Sequence, residues 1–287
     1  MTNNSNVRPR RSFLFVPGSD MSLFPKAIQA KPDIVCIDLE DAIAPPDKSI
    51  ARKETLEQLE TTTMTDEVET LIRTNSLRTR DGWEDITSIL ASKITLSGLM
   101  LPKVKSADEV RLLHELLDEQ NSPLRPQVII ETNEGLEECV DIAGSSSRID
   151  ALLFGGIDMA AELRITPNWN SLLYARSKLV HAAATHQIDL IDVPYLDLED
   201  QEGLKTAAKL AHELGFTGKG AIHPNQLPII TEQFTPSKEE VEQAKKIIDA
   251  FRKAKTGLVV MEGKLIEKPV LRNMLRVLAI AERTNGS

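Results

Sequence analysis

The sequence predicts an α/β protein of the (β/α)8 TIM-barrel class, extended at its C-terminus by helical and hairpin segments, and three observations lead there. Short apolar runs with strand character alternate with amphipathic helical stretches, the pattern of a parallel sheet. Eight such runs lie between Ser12 and Ile222, which matches the number of strands and the chain length of a closed barrel. Polar groups stand just past the ends of these runs, where barrel enzymes build their sites.

In chain order the predicted strands are Ser12–Val16, Ile34–Leu39, Glu69–Arg73, Gly98–Leu101, Val128–Glu131, Ala151–Phe154, Leu190–Ile191 and Lys219–Ile222. The helical stretches between them include "DKSIARKETLEQLE", "SADEVRLLHELLDEQ", "NEGLEECVDIA", "WNSLLYARSKLVHAAATHQ" and "DQEGLKTAAKLAHELG". Asp, Ser or Asn opens several of them and Gly follows several, as helix caps require. The alternative is a doubly wound open sheet. No G-x-G-x-x-G follows the first strand, and "GFTGKGAIHP" lacks the spacing and the Ser/Thr of a phosphate loop, so dinucleotide binding has little support.

Residues 1–10 read as a flexible polar leader, 11–234 as the barrel, and 235–287 as an extension that contacts a neighbouring subunit. In the extension "TPSKEEVEQAKKIIDAFRKA" is a capped amphipathic helix, and "GLVVMEGKLIEKPVLRNMLRVLAIAE" a hairpin with a Gly turn followed by another helix. No apolar run is long enough to span a membrane and no secretory leader is evident, so the expected location is the cytoplasm.

With Lys+Arg 34 against Asp+Glu 43 the formal charge is -9, and aromatic residues make up only 4%. A nucleic-acid binder carries a basic stripe and stacking platforms, so that class is excluded. An anionic small molecule has to be met by a local cation or a metal ion working against the overall field. Cys36 and Cys139 lack CxxC spacing, and Cys36 sits in an apolar run as a small hydrophobe. The five histidines show no metal-ligand spacing, and all but His223 fall in helical patterns.

The strand ends give the candidate site in order: Pro17-Gly18, "DLEDAIAPPDK", Arg73 and Asn75, Pro102-Lys103, Glu131, then Gly155, Gly156 and Asp158, then Asp192 and Asp197, then His223. Glu131 and Asp158 end neighbouring strands. Two carboxylates with water and substrate oxygens are a common way of holding Mg²⁺. The alternative is that Glu131 solvates a turn and Asp158 caps the helix "MAAEL". Arg73 is suited to grip a substrate carboxylate by two parallel hydrogen bonds, or else pairs with one of the acids of the mouth. Asp38, Glu40 and Asp41 fit a solvated loop, an outer support of the site, or direct ligation.

Nine segments in one order, "RSFLFVPGSD", "DIVCIDLEDAIAPPDKSIAR", "LIRTN", "LMLPKV", "IETNEGL", "FGGIDMAAEL", "LLYARSKLV", "GFTGKGAIHPNQ" and "FTPSKEEVEQAKKIIDAF", resemble the citrate lyase beta subunit group of the HpcH/HpaI aldolase and citrate lyase family. The resemblance runs from Arg11 to the C-terminal helix. It implies a barrel whose Mg²⁺ is bound by Glu131 and Asp158, whose Arg73 holds the substrate carboxylate, and whose Gly156 borders the substrate. It also implies a thioester on coenzyme A or an acyl-carrier subunit, with Phe15, Lys26, Ile222 and His223 along the carrier channel. Phe15 reads equally as core, Lys26 as a solvated lysine, and His223 as a histidine bonded to backbone. In acyl-CoA relatives an Asp before "KPV" serves in proton transfer, where this sequence has Glu267.

The implied reaction is cleavage of a 3-hydroxy-3-carboxyacyl thioester (citryl, citramalyl or malyl) to an acetyl thioester and a 2-oxo acid. Alternatives are a malyl-CoA thioesterase or malate synthase-like enzyme, a pyruvate aldolase, and a non-catalytic acyl-thioester-binding subunit. A homo-oligomer, a trimer or a multiple of one, is the family expectation, with citrate lyase subunits as further partners and neither nucleic acid nor membrane among them.

Overall fold

A computed structural model describes residues 8–62, 67–254, 258–261 and 264–284. Residues 1–7 of the expected leader and the hairpin turn at 262–263 lie outside them. Eight parallel strands form the barrel: β1 (Ser12–Pro17), β2 (Ile34–Asp38), β3 (Glu69–Arg73), β4 (Gly98–Leu101), β5 (Arg125–Ile130), β6 (Ala151–Phe154), β7 (Asp189–Asp192) and β8 (Gly218–Ala221). They hydrogen-bond in sequence order, and β8 closes the barrel on β1 with Phe13 opposite Gly220.

Ten helices accompany them: α1 (Phe24–Gln29), α2 (Lys48–Thr61), α3 (Arg80–Ala91), α4 (Ala107–Glu119), α5 (Asn133–Glu137), α6 (Cys139–Ala143), α7 (Gly156–Leu163), α8 (Leu173–His186), α9 (Gln201–Leu214) and α10 (Leu227–Phe234). The expected single helix over "NEGLEECVDIA" is two, parted at Glu138. Helix α8 starts at Leu173 rather than near Trp169, because the Trp169 ring instead covers the Arg176 guanidinium at 4.7 Å. Helix α3 is absent from the expected stretches because Gly82 weakens its propensity. The glycine is required there: a Cβ would stand 2.1 Å from the Ser76 carbonyl oxygen.

Strand β5 begins at Arg125, ahead of the expected Val128, through Pro126. Side chains on either side of the proline anchor it: Arg125 to Asp150 and Gln127 to Glu69. Strand β8 ends at Ala221, so Ile222 opens the following loop, where its N–H donates to Gln226 Oε1.

Side chains two apart share a face of a strand, and this periodicity builds the barrel interior in layers. Phe13, Cys36, Leu71, Ile129, Leu153 and Ile191 belong to one fully buried cluster. Two residues earlier come Glu69, Gln127 and Asp189 at the N-terminal end. Two residues later come Phe15, Asp38, Arg73, Glu131 and Gly155 at the C-terminal end. The polar site is the layer above an apolar floor, and its position follows from strand register alone. Cys36 and Cys139 are free and buried.

Residues Arg10–Thr231 form one compact unit and the chain from Glu232 belongs to a second. In the second unit α11 (Lys238–Lys253) opens with a capping box between Ser237 and Glu240. Strands β9 (Leu258–Met261) and β10 (Lys264–Glu267) form the expected antiparallel hairpin, and α12 (Lys268–Thr284) packs on α11. Among the described residues no helix is long and apolar enough to cross a membrane.

Candidate active site

Glu131 stands one residue past β5, and Asp158 lies in the first turn of α7, just past β6. Helix α7 starts from Gly155 with no side-chain cap, so Asp158 does not cap it; its carboxylate lies within hydrogen-bonding reach of Glu131. Gly155 makes this approach possible. A Cβ on it would sit 2.3 Å from Glu131 Cβ and 2.6 Å from Glu131 Oε2. Glu131 is 2% exposed, and its Oε1 accepts the Lys103 backbone N–H at 2.7 Å.

The environment of Glu131 opposes its charge. Burial first, then the negative charges of Glu40 and Asp158, push its carboxyl up to about 8, with the Lys103 amide opposing them. The side-chain cations of the mouth turn elsewhere. Arg73 Nε and Nη2 fork onto Asp38 at 2.7 and 2.5 Å, and Nη1 faces Glu40 Oε2 at 3.2 Å. Lys103 Nζ bonds Glu40 Oε1 and reaches Asp41 Oδ1 at 2.9 Å. Among the described residues neither carboxylate has a protein counter-charge, and two such neighbours form a site that fits a hard divalent cation. Among the described residues no cluster of three or more His, Cys, Asp or Glu is arranged to hold a metal, so such an ion would take its other oxygens from water and substrate.

The loop after β2 resolves the three readings of its acids. Asp38 is saturated: besides the Arg73 fork it accepts the N–H groups of Glu40 at 2.8 Å and Ala42 at 3.2 Å, so it holds Arg73 and supports the site from behind. Glu40 is buried under Arg73 and Lys103, while Asp41 is exposed. Burial raises the Glu40 carboxyl to about 7, with Arg73 opposing. Desolvation pulls the arginine down, but Asp38 and Glu40 outweigh it, so the Arg73 guanidinium stays charged. Its Cζ lies 5.3 Å from the centre of the Phe15 ring, which itself stacks on Phe13.

The double-pronged edge expected to take a substrate carboxylate is thus filled on the Nε side by Asp38, leaving Nη1 toward the mouth. Sequence reasoning placed Lys103 at a strand end without giving it a role. Its side-chain reach to Glu40, on a strand two places away in the barrel, has no sequence signal. Lys48 was also missed; from α2 it bonds Asn75 Oδ1 and the Glu40 carbonyl, fixing the loop backbone.

The residues assigned to a carrier channel lie on or just after the neighbouring strands β1 and β8. Phe15 is half-buried under Arg73, Lys26 is exposed on α1, and Ile222 is 40% exposed beyond β8. His223 Nδ1 accepts the Asn225 N–H at 3.1 Å, so this histidine does bond backbone. Gly156 is buried, with room only for hydrogen before Phe154 and Val193. Behind β7 and β8, buried Asp192 joins Lys219 Nζ at 2.6 Å and Arg176 Nε at 3.0 Å, and the Lys219 ammonium also donates to the Val193 carbonyl. Burial lowers the Lys219 pKa against the pull of Asp192. Glu267 ends β10 in the second unit with an exposed side chain.

Known proteins resemble this chain in sequence and in fold. Citramalyl-CoA lyase, mitochondrial, of Rattus norvegicus is 32% identical over 97% of this chain and 88% of its own length. Citrate lyase subunit beta of Haemophilus influenzae is 31% identical over 96% of this chain and 98% of its own. The solved structure of the Mycobacterium tuberculosis protein CitE in complex with magnesium, acetoacetate and coenzyme A superposes with a TM-score of 0.78 at 28% identity, covering 94% of this chain and 97% of that one. The family model for HpcH/HpaI aldolase/citrate lyase matches residues 11–224, from the start of β1 to the loop after β8. A closed eight-stranded barrel with this mouth and this span of sequence places the chain in the HpcH/HpaI aldolase/citrate lyase family.

Proposed function

We propose that this chain is a Mg²⁺-dependent carbon–carbon lyase that cleaves a 3-hydroxy-3-carboxyacyl-CoA of the citramalyl, citryl or malyl type into acetyl-CoA and a 2-oxo acid. The observation that carries the reading is the pair of buried Glu131 and half-buried Asp158, which among the described residues has no protein counter-charge, beside Arg73. Lyases for citramalyl-CoA and citrate among the relatives, and the magnesium and coenzyme A in the M. tuberculosis complex, support it.

Glu131 and Asp158 would hold the ion, which when bound draws electron density from the substrate hydroxyl and carboxylate oxygens and acidifies the hydroxyl. Arg73, rigidly backed by Asp38, presents Nη1 to the carboxylate and sets its orientation. A base takes the hydroxyl proton, the C–C bond breaks toward the thioester, and an acid returns a proton to the resulting enolate carbon. Glu267 is assigned this proton transfer, supplied by a neighbouring copy in a trimer or a multiple of one. Phe15, Lys26, Ile222 and His223 are assigned to the coenzyme A or acyl-carrier arm. A cytoplasmic location completes the proposal.

The test is a product assay on citramalyl-, citryl- and malyl-CoA with and without EDTA, reading acetyl-CoA and the 2-oxo acid by chromatography. Expected is cleavage that EDTA abolishes and that physiological magnesium does not restore to Glu131→Ala or Asp158→Ala. Cleavage of a hydroxy-oxo acid aldol instead would assign the chain to the aldolase branch. Turnover only with added partner subunits would point to a citrate lyase complex, and magnesium-dependent turnover by the isolated chain excludes a purely binding role.

A further inference from the structure

Lys103 acts on three carboxylates at once. Its backbone adopts the left-handed region at φ 54°, a conformation disfavoured for a residue with a Cβ and one that persists only where the surroundings enforce it. The turn aims its backbone N–H at Glu131 Oε1, at 2.7 Å, while its side chain runs to Glu40 Oε1 and Asp41 Oδ1. Glu40 is 4% exposed, and the residue that binds its carboxylate also binds that of Glu131. Glu40 is therefore a third carboxylate beside the Glu131–Asp158 pair. Its backbone is fixed by Asp38 and Lys48, so only its side chain is free to change partner.

Two cations hold that side chain back, Lys103 on Oε1 and Arg73 on Oε2. A substrate carboxylate arriving at Arg73 Nη1 competes with Glu40 for that cation. Lys103 alone then holds Glu40. Resting on the proposed metal site at Glu131 and Asp158, the geometry points to Lys103 as the positioning residue that keeps Glu40 out of it. The site thereby stays at two protein carboxylates and leaves coordination positions open to substrate. A cage of three carboxylates would bind the ion more tightly and serve the reaction less well, since Mg²⁺ in enzymes commonly takes part of its ligand set from substrate.

The test is calorimetric titration of the metal-free full-length chain with MgCl2 and with CaCl2 at pH 8, beside turnover at saturating magnesium. For Lys103→Met the expected Mg²⁺ Kd falls about tenfold, because a positive charge leaves and a carboxylate is released. The Ca²⁺ Kd falls further, since calcium accepts more oxygen ligands in looser geometry. At the same time kcat falls at least about tenfold. A misfolded site weakens binding, so tighter binding with slower turnover is not produced by structural damage. The double variant Lys103→Met/Glu40→Gln returns the Kd to near the wild-type value if the two residues act as one unit.

Glu40→Gln alone, which keeps the side-chain volume, decides the matter even if Lys103→Met fails to fold. Its Mg²⁺ Kd is expected within about tenfold of wild type. A rise of a hundredfold or more makes Glu40 a ligand and overturns the inference, as does a Lys103→Met chain that is folded but binds magnesium equally or less well. Wild-type protein with no affinity for magnesium removes the metal site itself, an outcome distinct from either.

Discussion

The two ends of the barrel interior both carry carboxylates and treat them in opposite ways. At the N-terminal end Arg10 reaches Glu69 at 2.9 Å, Asp189 at 3.1 Å and Asp150 at 3.2 Å, while Arg125 takes Asp150 from the other side at 2.7 Å. Gln127 fills a remaining position on Glu69 at 3.0 Å. Every acid there has a guanidinium partner. At the C-terminal end Arg73 and Lys103 are drawn to Asp38, Glu40 and Asp41, and Glu131 and Asp158 are paired with no cation among the described residues. The apolar layer at Phe13, Leu71 and Ile129 separates the two ends. Charge matched by the protein itself closes and stabilises the barrel floor. Charge left unmatched at the mouth costs stability, which under the proposed function an external cation would offset.

Removing the unmatched pair has the largest expected effect. Glu131→Gln or Asp158→Asn is expected to lower turnover about a thousandfold or more, through loss of the ion's charge stabilisation. Urea unfolding of the metal-free chain should show either variant at least as stable as wild type, since no ion pair is lost. At the other end the outcome reverses. Arg10→Ala leaves Glu69 and Asp189 buried without that cation and is expected to destabilise the fold by about 3–5 kcal/mol. Its kcat, measured on the folded fraction, is expected within about twofold of wild type.

Gly155→Ala tests the packing that brings the mouth carboxylates together. The new methyl group collides with Glu131 Cβ, so the Mg²⁺ Kd, followed by calorimetry, should rise about 10- to 100-fold. The smallest expected effect is a pH dependence. Glu131 is raised to about 8 in the folded, metal-free chain from an unfolded value near ~4.3. The folded chain keeps that proton while the unfolded chain loses it, so its contribution to stability declines as pH rises from about 4.5 to about 8 and then levels. Magnesium must displace the same proton. Its Kd should tighten by up to about tenfold per pH unit below pH 8 and flatten above; a flat profile across that range would show Glu131 already ionised and compensated.

The layering explains how much of the fold and the site could be read without coordinates. Phe13 and Phe15, Leu71 and Arg73, Ile129 and Glu131 are each two residues apart, so the strand period that defines the core also places the site. The eight strands and their order therefore followed from local pattern, and Arg73, Glu131 and Asp158 from their places after strand ends. Helix α3 was hidden because Gly82 answers to a contact with the Ser76 carbonyl and not to helix propensity. Trp169 was placed within a helical stretch, although stacking on Arg176 keeps it outside.

What the sequence alone determined about this protein is the alternation of strand and helix, the apolar floor, and the identity of the acids and the arginine at the barrel mouth. These are properties of neighbours in the chain, where a period of two or of 3.6 suffices. Which charges neutralise one another was decided only by tertiary structure. Arg73 forks onto Asp38, Lys103 bonds both Glu131 and Glu40, and Arg10 gathers three acids from distant strand ends. The physical reason is that ion pairing depends on distance through space, and barrel closure brings together residues that the chain separates.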